Sequence, residues 1–348
     1  MSLADVIGRI DAEARRKLER KLPSWAGADI KVPASLNLEQ CSSEATALYK
    51  AGLIGPGLKV ADLTGGLGAD SWAFSWMAGA VWYNERDTVL MEVVRRNFGL
   101  LGVSNVVFNS FDVVAGSGAW VDSLRGFGPD LIYLDPGRRD SAGRKVFLLE
   151  DCSPDVVALM PVLLELAPSV MVKVSPMADL TMLRRRLDGV LGELHVVGVA
   201  GECKEVLCLC RRDASFAGVV LAEDGRTLRS DIPFRPQKNG DQYLFVPSAA
   251  MVKSGLGPGM CLMGYDGELG HFGRFWQVVE NLPFASSVLK SLGSRYPQAE
   301  VTARGVPVSS EELRKKLRTK PGGSVHIFAC VLNGERRILV CEQVLAPE

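Results

Sequence analysis

The chain has 348 residues, 47% of them hydrophobic, which is enough for two domains or for one large domain with an appendage. Its 40 basic and 40 acidic side chains leave no net charge, which excludes a general attraction to nucleic acid and leaves only a local basic patch for such a partner. The eight cysteines include no Cys-x-x-Cys pair and the three histidines are far apart, which argues against disulfides and a metal site. No apolar run is long enough to span a bilayer. These features favour a cytoplasmic protein.

An N-terminal helical segment is predicted over residues 1–57. Apolar residues at helical spacing indicate a helix at 2–21 that ends in a basic cluster, where positive charge complements the helix dipole. A polar stretch at 36–47 then leads into a short helix. Gln40 and Ser43 lie in this stretch, and capping a helix is one role that such residues commonly have.

A strand, a glycine-rich turn and a helix follow from residue 58. The apolar strand ends in Asp62, and the turn contains Gly66 and Gly68, which let the backbone approach a ligand closely and expose free N–H groups at the helix start. The dinucleotide pattern G-x-G-x-x-G needs a third glycine where Ser71 stands. An NAD-dependent dehydrogenase is therefore disfavoured.

Apolar strands alternate with amphipathic helices over residues 58–213. This pattern predicts a doubly wound, Rossmann-like α/β domain with a mostly parallel sheet. A short turn joins the last two strands, so the closing strand is expected to be antiparallel. The seven predicted strands lie at 58–63, 80–85, 104–109, 130–135, 169–175, 194–200 and 204–211.

Acidic side chains follow the first four predicted strands. Since ligands bind at the carboxyl ends of such strands, these side chains are candidates for a common site. Glu85 on the second strand suits the two hydroxyls of a ribose, and Asp112 after the third suits an adenine amino group with Phe111 beside the ring. Asp62 and Asp135 end the first and fourth strands. The pattern points to an adenosine-containing cofactor.

These motifs resemble, in order and spacing, those of class I S-adenosylmethionine (SAM) methyltransferases. The resemblance covers residues 36–212 and rests on Asp-Leu-Thr-Gly-Gly-Leu-Gly at 62–68, Asn-Glu-Arg at 84–86, Asp112 and Asp-Pro-Gly-Arg-Arg at 135–139, with Thr64 where the family usually has a glycine. It implies SAM as cofactor and direct SN2 methyl transfer that needs no metal. The residues implied to bind SAM are Gln40, Ser43, Asp62, Thr64, Gly66, Gly68, Asp70, Glu85, Arg86, Phe111 and Asp112.

The motif after the fourth strand bears on the acceptor. Base amino-group methylases carry Asp/Asn-Pro-Pro-aromatic, and here Asp135 and Pro136 are kept, so the carboxylate can orient or deprotonate an amine. Arg138 replaces the aromatic residue and can stack on a base or grip a phosphate. These three are the predicted catalytic residues. Arg138, Arg139 and Lys173, which interrupts an apolar strand, are candidate substrate ligands; ion pairs that shape the loop and a snorkelling lysine are the alternatives.

A second, α+β unit is predicted over residues 214–348. Its last part, at 291–348, resembles the THUMP-like domain attached to certain bacterial methyltransferases. True THUMP domains help to dock RNA, so the resemblance implies a tRNA or rRNA partner, for which Arg304, Lys315 and Lys316 are candidate ligands. The predicted elements here are a strand at 300–304, a helix at 310–318 opened by a capping box, and strands at 324–332 and 336–341 joined by an Asn-Gly turn.

The sequence therefore predicts a SAM-dependent methyltransferase that acts on RNA at a base nitrogen. Two alternatives stay open. One keeps the fold and changes the substrate to a protein or a small molecule. The other is a non-catalytic module that binds SAM or RNA. The altered Asp-Pro-Gly-Arg motif is the sequence feature that favours it.

Overall fold

The computed structural model describes residues 12–115, 118–137, 149, 152–231, 240 and 242–344. The chain forms two compact units. The first comprises Met1–Val199 and Cys203–Thr227, and the second comprises Ala200–Glu202 and Leu228–Glu348.

The first unit begins with helices that precede the sheet. They are α1 (Ala12–Lys21), a 3₁₀ turn (Pro23–Trp25), α2 (Ser35–Gln40) and α3 (Glu44–Gly52). Leu18 and Trp25 are fully buried, and the Trp25 ring lies edge-on to Trp72 at 5.8 Å between ring centroids. The predicted helix is confirmed from residue 12 onward, and its first ten residues lie outside the described part of the chain.

The first sheet has the strand order β3-β2-β1-β4-β5-β7-β6-β8-β9. Its strands are β1 (Lys59–Asp62), β2 (Ala80–Asn84), β3 (Val106–Asn109), β4 (Leu131–Leu134), β5 (Ser169–Val174), β6 (Leu191–Val199), β7 (Glu202–Arg211), β8 (Gly218–Glu223) and β9 (Arg226–Arg229). Strands β1 to β5 pair in parallel and β7 runs antiparallel to β5. The predicted Rossmann-like class, with its seven strands and antiparallel last strand, is confirmed.

Two further strands extend this sheet beyond the seven predicted. Strand β8 pairs in parallel with β6, so that Leu194 lies beside Val219, and β9 follows it at the edge. The turn between them, Asp224-Gly225, has positive φ angles of 45° and 82°. An Asp-Gly hairpin is a recognisable signal that the sequence analysis missed. The predicted domain boundary at 213/214 consequently falls earlier than the end of the first compact unit at Thr227.

Helices of the first unit alternate with the strands. They are α4 (Ala69–Ser75), α5 (Thr88–Leu100), α6 (Gly118–Phe127), α7 (Val156–Leu166) and α8 (Leu180–Arg186). Apolar side chains from α4 and α5 join those of β1, β2 and β4 in one core, in which Phe74 lies edge-on to Tyr133 at 5.1 Å between ring centroids. This packing fixes the carboxyl ends of the strands relative to one another.

The second unit contains a sheet of order β11-β10-β12-β15-β14-β13. Its elements are β10 (Tyr243–Pro247), α9 (Ala249–Ser254), β11 (Cys261–Met263), α10 (Gly267–Gly270), β12 (Gly273–Pro283), α11 (Ser286–Arg295), β13 (Glu300–Ala303), α12 (Ser310–Leu317), β14 (Val325–Leu332) and β15 (Glu335–Gln343). Leu292 of α11 and Leu313 of α12 pack with Ile327 of β14. The predicted capping box at Ser309 and the hairpin turn at 333–334 are both present.

Candidate active site at the strand ends of the first sheet

The turn after β1 is held together by the side chain of Asp62. This side chain is 1% exposed; its Oδ2 accepts a hydrogen bond from Ser71 Oγ at 2.7 Å and its Oδ1 one from the Thr64 N–H at 3.1 Å. Burial raises the pKa of Asp62 to about 8, although those two hydrogen bonds act in the opposite direction. The structure thus gives Asp62 a role in shaping the turn, and its predicted contact with SAM stays a prediction.

The glycines of this turn meet different requirements. A Cβ at Gly65 would lie 2.1 Å from Tyr83 Cε2, and one at Gly68 would lie 2.8 Å from Val94 Cγ1, so close packing excludes larger side chains at both positions. At Gly66, where φ is +52°, the nearest atom to such a Cβ is the Thr64 carbonyl oxygen at 3.9 Å. The backbone at Gly66 therefore has the space that a closely bound ligand needs.

Glu85 lies beside this open part of the turn. Its Oε2 accepts a hydrogen bond from the Gly66 N–H at 3.0 Å, and its Oε1 accepts one from the Asp87 N–H at 2.9 Å. The side chain is half-buried, whereas the neighbouring Arg86 is exposed. Because each carboxylate oxygen carries a further lone pair, Glu85 can still accept hydrogen bonds from a diol.

Asn84, which the sequence analysis did not single out, connects two loops of the site. Its Nδ2 donates to the carbonyl oxygens of Leu63 and Phe111, both at 3.1 Å, and its Oδ1 accepts from the Phe111 N–H at 2.8 Å. The loop that carries the exposed Asp112 is thereby fixed to the glycine turn. The Phe111 ring stacks on Trp82 with 6.1 Å between centroids. A buried amide at the end of an apolar strand was the available signal.

Asp135 lies next to the same turn, at the end of β4. Its N–H donates to Thr64 Oγ1 at 2.6 Å, and its Oδ2 accepts from Lys173 Nζ at 2.5 Å. The Lys173 side chain is 16% exposed and that of Asp135 is 29% exposed. Burial alone would lower the pKa of Lys173, but the carboxylates of Asp135, Glu205 and Asp70 outweigh it and raise that pKa.

The other predicted residues of the 135–139 motif are only partly described. Pro136 lies within the described chain, and its neighbour Gly137 pairs with Ser153 through two backbone hydrogen bonds. Arg138 and Arg139 lie outside the described residues. Their predicted contacts with substrate therefore stay predictions.

A buried ionic cluster joins α3, α4 and β7. Lys50 of α3 is fully buried, and its Nζ lies 2.6 Å from Glu205 Oε1, 3.1 Å from Asp70 Oδ1 and 3.0 Å from Ser42 Oγ. The Tyr133 hydroxyl donates to Asp70 Oδ2 at 2.9 Å. Burial acts to raise the pKa of Asp70, but the two nearby lysine charges prevail and lower it. Asp70, predicted to bind SAM, is thus occupied by partners within the protein.

Two predicted SAM ligands precede the glycine turn. Ser43 is the N-cap of α3, and its Oγ accepts from the Thr46 N–H at 3.3 Å, which is the alternative role considered for it. Gln40 is exposed at the end of α2. Nothing in these contacts tests a role for either residue in binding a cofactor.

The basic residues proposed for RNA lie in the second unit. Arg304 is exposed just after β13, and Lys315 and Lys316 are exposed on α12. The Lys315 Nζ lies 2.8 Å from Glu311 Oε1, one turn earlier on the same helix. Arg318 follows the helix and is also exposed. These side chains form the basic surface of the second unit.

Metal-binding clusters and membrane-spanning helices are both absent from the described part of the chain. It contains no group of three or more histidine, cysteine, aspartate or glutamate side chains arranged to hold a metal ion. It also contains no helix with the length and apolar character needed to cross a bilayer.

A family model matches part of this chain, and a solved structure matches nearly all of it. A family model for a THUMP domain-like module matches residues 273–343. The structure of a protein from Porphyromonas gingivalis W83 with a provisional methyltransferase assignment is 28% identical, covers 99% of this chain and 95% of its own, and superposes with a TM-score of 0.81. No curated protein sequence matches the chain significantly.

More distant structures match about half of the chain. Magnesium protoporphyrin IX methyltransferase from Synechocystis PCC 6803, with bound SAH, is 13% identical over 49% of this chain and 82% of its own, with a TM-score of 0.36. A rRNA methylase from Streptococcus thermophilus is 11% identical over 48% of this chain and 94% of its own, with a TM-score of 0.33.

The sheet order is that of the Rossmann-like class, and the match over nearly the whole chain is to a structure of this class with a provisional methyltransferase assignment. More particularly, the chain resembles a methyltransferase with a C-terminal THUMP-like domain, as the sequence analysis predicted. The THUMP-like match starts at Gly273 and not at the predicted residue 291. The physical reason is β12, which begins at Gly273 and pairs with β15 inside this sheet.

Proposed function

We propose that this methyltransferase uses SAM and methylates RNA by direct transfer. The observation that carries the proposal is the set of contacts that brings the ends of β1, β2 and β4 together. Glu85, which follows β2, accepts a hydrogen bond from the N–H of Gly66 in the turn after β1, and Asp135, which follows β4, donates its N–H to Thr64 of the same turn. Carboxylates therefore flank a glycine backbone at the edge of the sheet where ligands of such folds bind.

The side chains present fit the groups of SAM. Glu85 would accept from the ribose hydroxyls, Asp112 would accept from the adenine amino group, and the open backbone at Gly66 would face the cofactor. When bound, SAM supplies a methyl group on a good leaving group, so the protein chiefly has to align an acceptor. The acceptors that RNA offers include an amino nitrogen of a base, which the Asp135-Pro136 motif predicts, and a ribose hydroxyl.

The Glu85→Ala variant is expected to bind SAM at least about 10- to 100-fold more weakly, because the loss of even one hydrogen bond to a charged group costs about 1.5–3 kcal/mol. Isothermal titration calorimetry with the purified protein measures this change. Asp122→Ala is the matched control, since Asp122 is an exposed acid on α6 that pairs with Arg125. Equal SAM affinity in wild type and Glu85→Ala would refute the cofactor site.

The substrate class is tested by supplying tritiated SAM together with RNA, protein or small-molecule extracts. Label in the RNA fraction supports the proposal. Label in a protein or metabolite fraction alone would favour the second substrate class. SAM binding without label in any fraction would favour the non-catalytic module.

Replacing Arg304, Lys315 and Lys316 together by alanine is expected to weaken RNA binding and to reduce the slope of log Kd against log salt by about 2. Each lost phosphate contact removes about 0.7 from that slope on single-stranded nucleic acid. Filter binding at several salt concentrations measures it. Lys290→Ala with Arg336→Ala, which removes two exposed charges elsewhere in this unit, should leave the slope unchanged. Identical slopes for the triple variant and wild type would exclude the basic surface as the RNA contact.

A further inference from the structure

We propose that the acceptor atom is a hydroxyl oxygen of an RNA ribose and not a base nitrogen. The proposal rests on the proposed function and adds the chemical class of the acceptor. It is carried by the side chain that contacts the predicted catalytic carboxylate, namely the ammonium group of Lys173 at 2.5 Å from Asp135 Oδ2.

The position of this ion pair is fixed by the fold. Lys173 lies on β5, which pairs in parallel with β4 so that Val172 is beside Leu134, and Asp135 directly follows that strand. The Asp135 N–H is held by Thr64 Oγ1 of the glycine turn. The ammonium group therefore lies next to the turn that would hold the methyl donor.

A cation in this position opposes methylation of an amine. An attacking amino nitrogen gains positive charge as its bond to carbon forms, and a neighbouring ammonium group repels that charge. The Asp-Pro motif thus occurs here with a partner that disfavours its usual substrate.

The same cation favours methylation of a hydroxyl. As the O–H bond breaks, the proton passes to the carboxylate of Asp135 and from there to solvent, to which that side chain is 29% exposed. The oxygen gains negative charge that Lys173 stabilises, and it forms the O–CH₃ bond while the S–CH₃ bond breaks and its electron pair stays on sulfur. Lys173 keeps its own proton throughout.

Neighbouring carboxylates keep Lys173 in the charged form that this role requires. Glu205 and Asp70 both raise its pKa, in addition to Asp135, whereas burial alone would lower it. Lys50 contacts Glu205 and Asp70 directly, so the buried carboxylates are themselves compensated.

The product identifies the acceptor directly. RNA labelled by the wild-type protein is hydrolysed with alkali, and its nucleosides are analysed by mass spectrometry after enzymatic digestion. The proposal expects alkali-stable dinucleotides and ribose-methylated nucleosides. Label on a base with an unmodified ribose would overturn the hydroxyl proposal and leave the proposed function standing. Absence of label from RNA would overturn both.

Variants at Lys173 test its role. Lys173→Met is expected to lower methyl transfer at least about 100-fold, as loss of a group that stabilises a developing oxyanion does, while Lys173→Arg keeps part of the activity. SAM affinity by calorimetry should be unchanged in both variants, which separates this effect from loss of the cofactor site. A Lys173→Met variant that is folded by thermal melting and fully active would contradict the proposal.

A measurement without cofactor or substrate tests the ion pair itself. Acetic anhydride at pH 9 acetylates neutral amines, and peptide mass spectrometry reports each lysine. Lys173 should react much more slowly than the exposed Lys59 in the wild type and faster in Asp135→Asn than in the wild type. Equal reactivity of Lys173 and Lys59 in the wild-type protein would show that no charged pair exists.

Discussion

Lys50→Met is expected to lower the free energy of unfolding of the first unit by about 3–5 kcal/mol, the range found when one partner of a buried ion pair is removed. Lys50 is fully buried, and its ammonium group contacts Glu205 and Asp70. Methionine fills a similar volume but leaves both carboxylates in a protein interior without the cation that compensates them. Urea denaturation followed by tryptophan fluorescence measures the change, since five of the six tryptophans belong to the first unit.

Two further variants separate loss of charge from loss of packing. Lys204→Met removes an exposed lysine adjacent to Glu205 and should change stability by less than about 1 kcal/mol. Adding Glu205→Gln to Lys50→Met should recover part of the loss, because one of the two uncompensated charges is then gone. Similar losses for Lys50→Met and Lys204→Met would show that the cluster does not stabilise the fold.

The cluster marks the limit of what the sequence could predict about the site. Strand ends such as Glu85 and Asp135 follow from local apolar runs, since each run fixes where its own strand stops. Lys50 and Glu205 are 155 positions apart, and no local pattern pairs them. A single lysine on the buried face of α3 and a glutamate in the apolar β7 were the only signals, and they become informative only as a pair.

The extension of the first sheet has a similar explanation. The Asp224-Gly225 turn is visible in the sequence and predicts a hairpin of β8 and β9. The sequence pattern does not predict which sheet that hairpin joins, because the partner strand is not its neighbour in sequence. Strand β6 begins at Leu191, 27 positions before β8 begins at Gly218. Strand β8 pairs with β6, so that β6 has a neighbour on each side. The edge of the sheet is then the short strand β9.

The stability of the first unit is expected to fall as the pH rises, because of Asp62. Burial raises the pKa of Asp62 from its usual 3.8 to about 8 in the folded protein. Between these values the folded state holds a proton that the unfolded chain has lost, so each pH unit lowers the free energy of unfolding by about 1.4 kcal/mol. The favourable contribution is fully present below about pH 4 and is lost as the pH rises through about 8.

Asp62→Asn isolates this contribution from other titrating groups. The amide oxygen can accept from the Thr64 N–H, as Oδ1 does in the wild type. The amide nitrogen can donate to Ser71 Oγ, which reverses the hydrogen bond that Ser71 donates to Oδ2, as a protonated carboxyl group would also do, and the amide does not titrate. The difference in unfolding free energy between wild type and variant, measured in urea from pH 5 to 9, should decrease by about 4 kcal/mol up to pH 8 and then become constant.

The exposed Asp122→Asn provides the matched control, and its difference from wild type should stay constant across this range. A constant difference for Asp62→Asn as well would mean that Asp62 ionises in the folded state as readily as in the unfolded chain. The turn would then be held by a carboxylate, and the hydrogen bonds from Ser71 and Thr64 would outweigh the cost of burial. Either result fixes the charge of Asp62, on which the affinity for the proposed cationic methyl donor would depend.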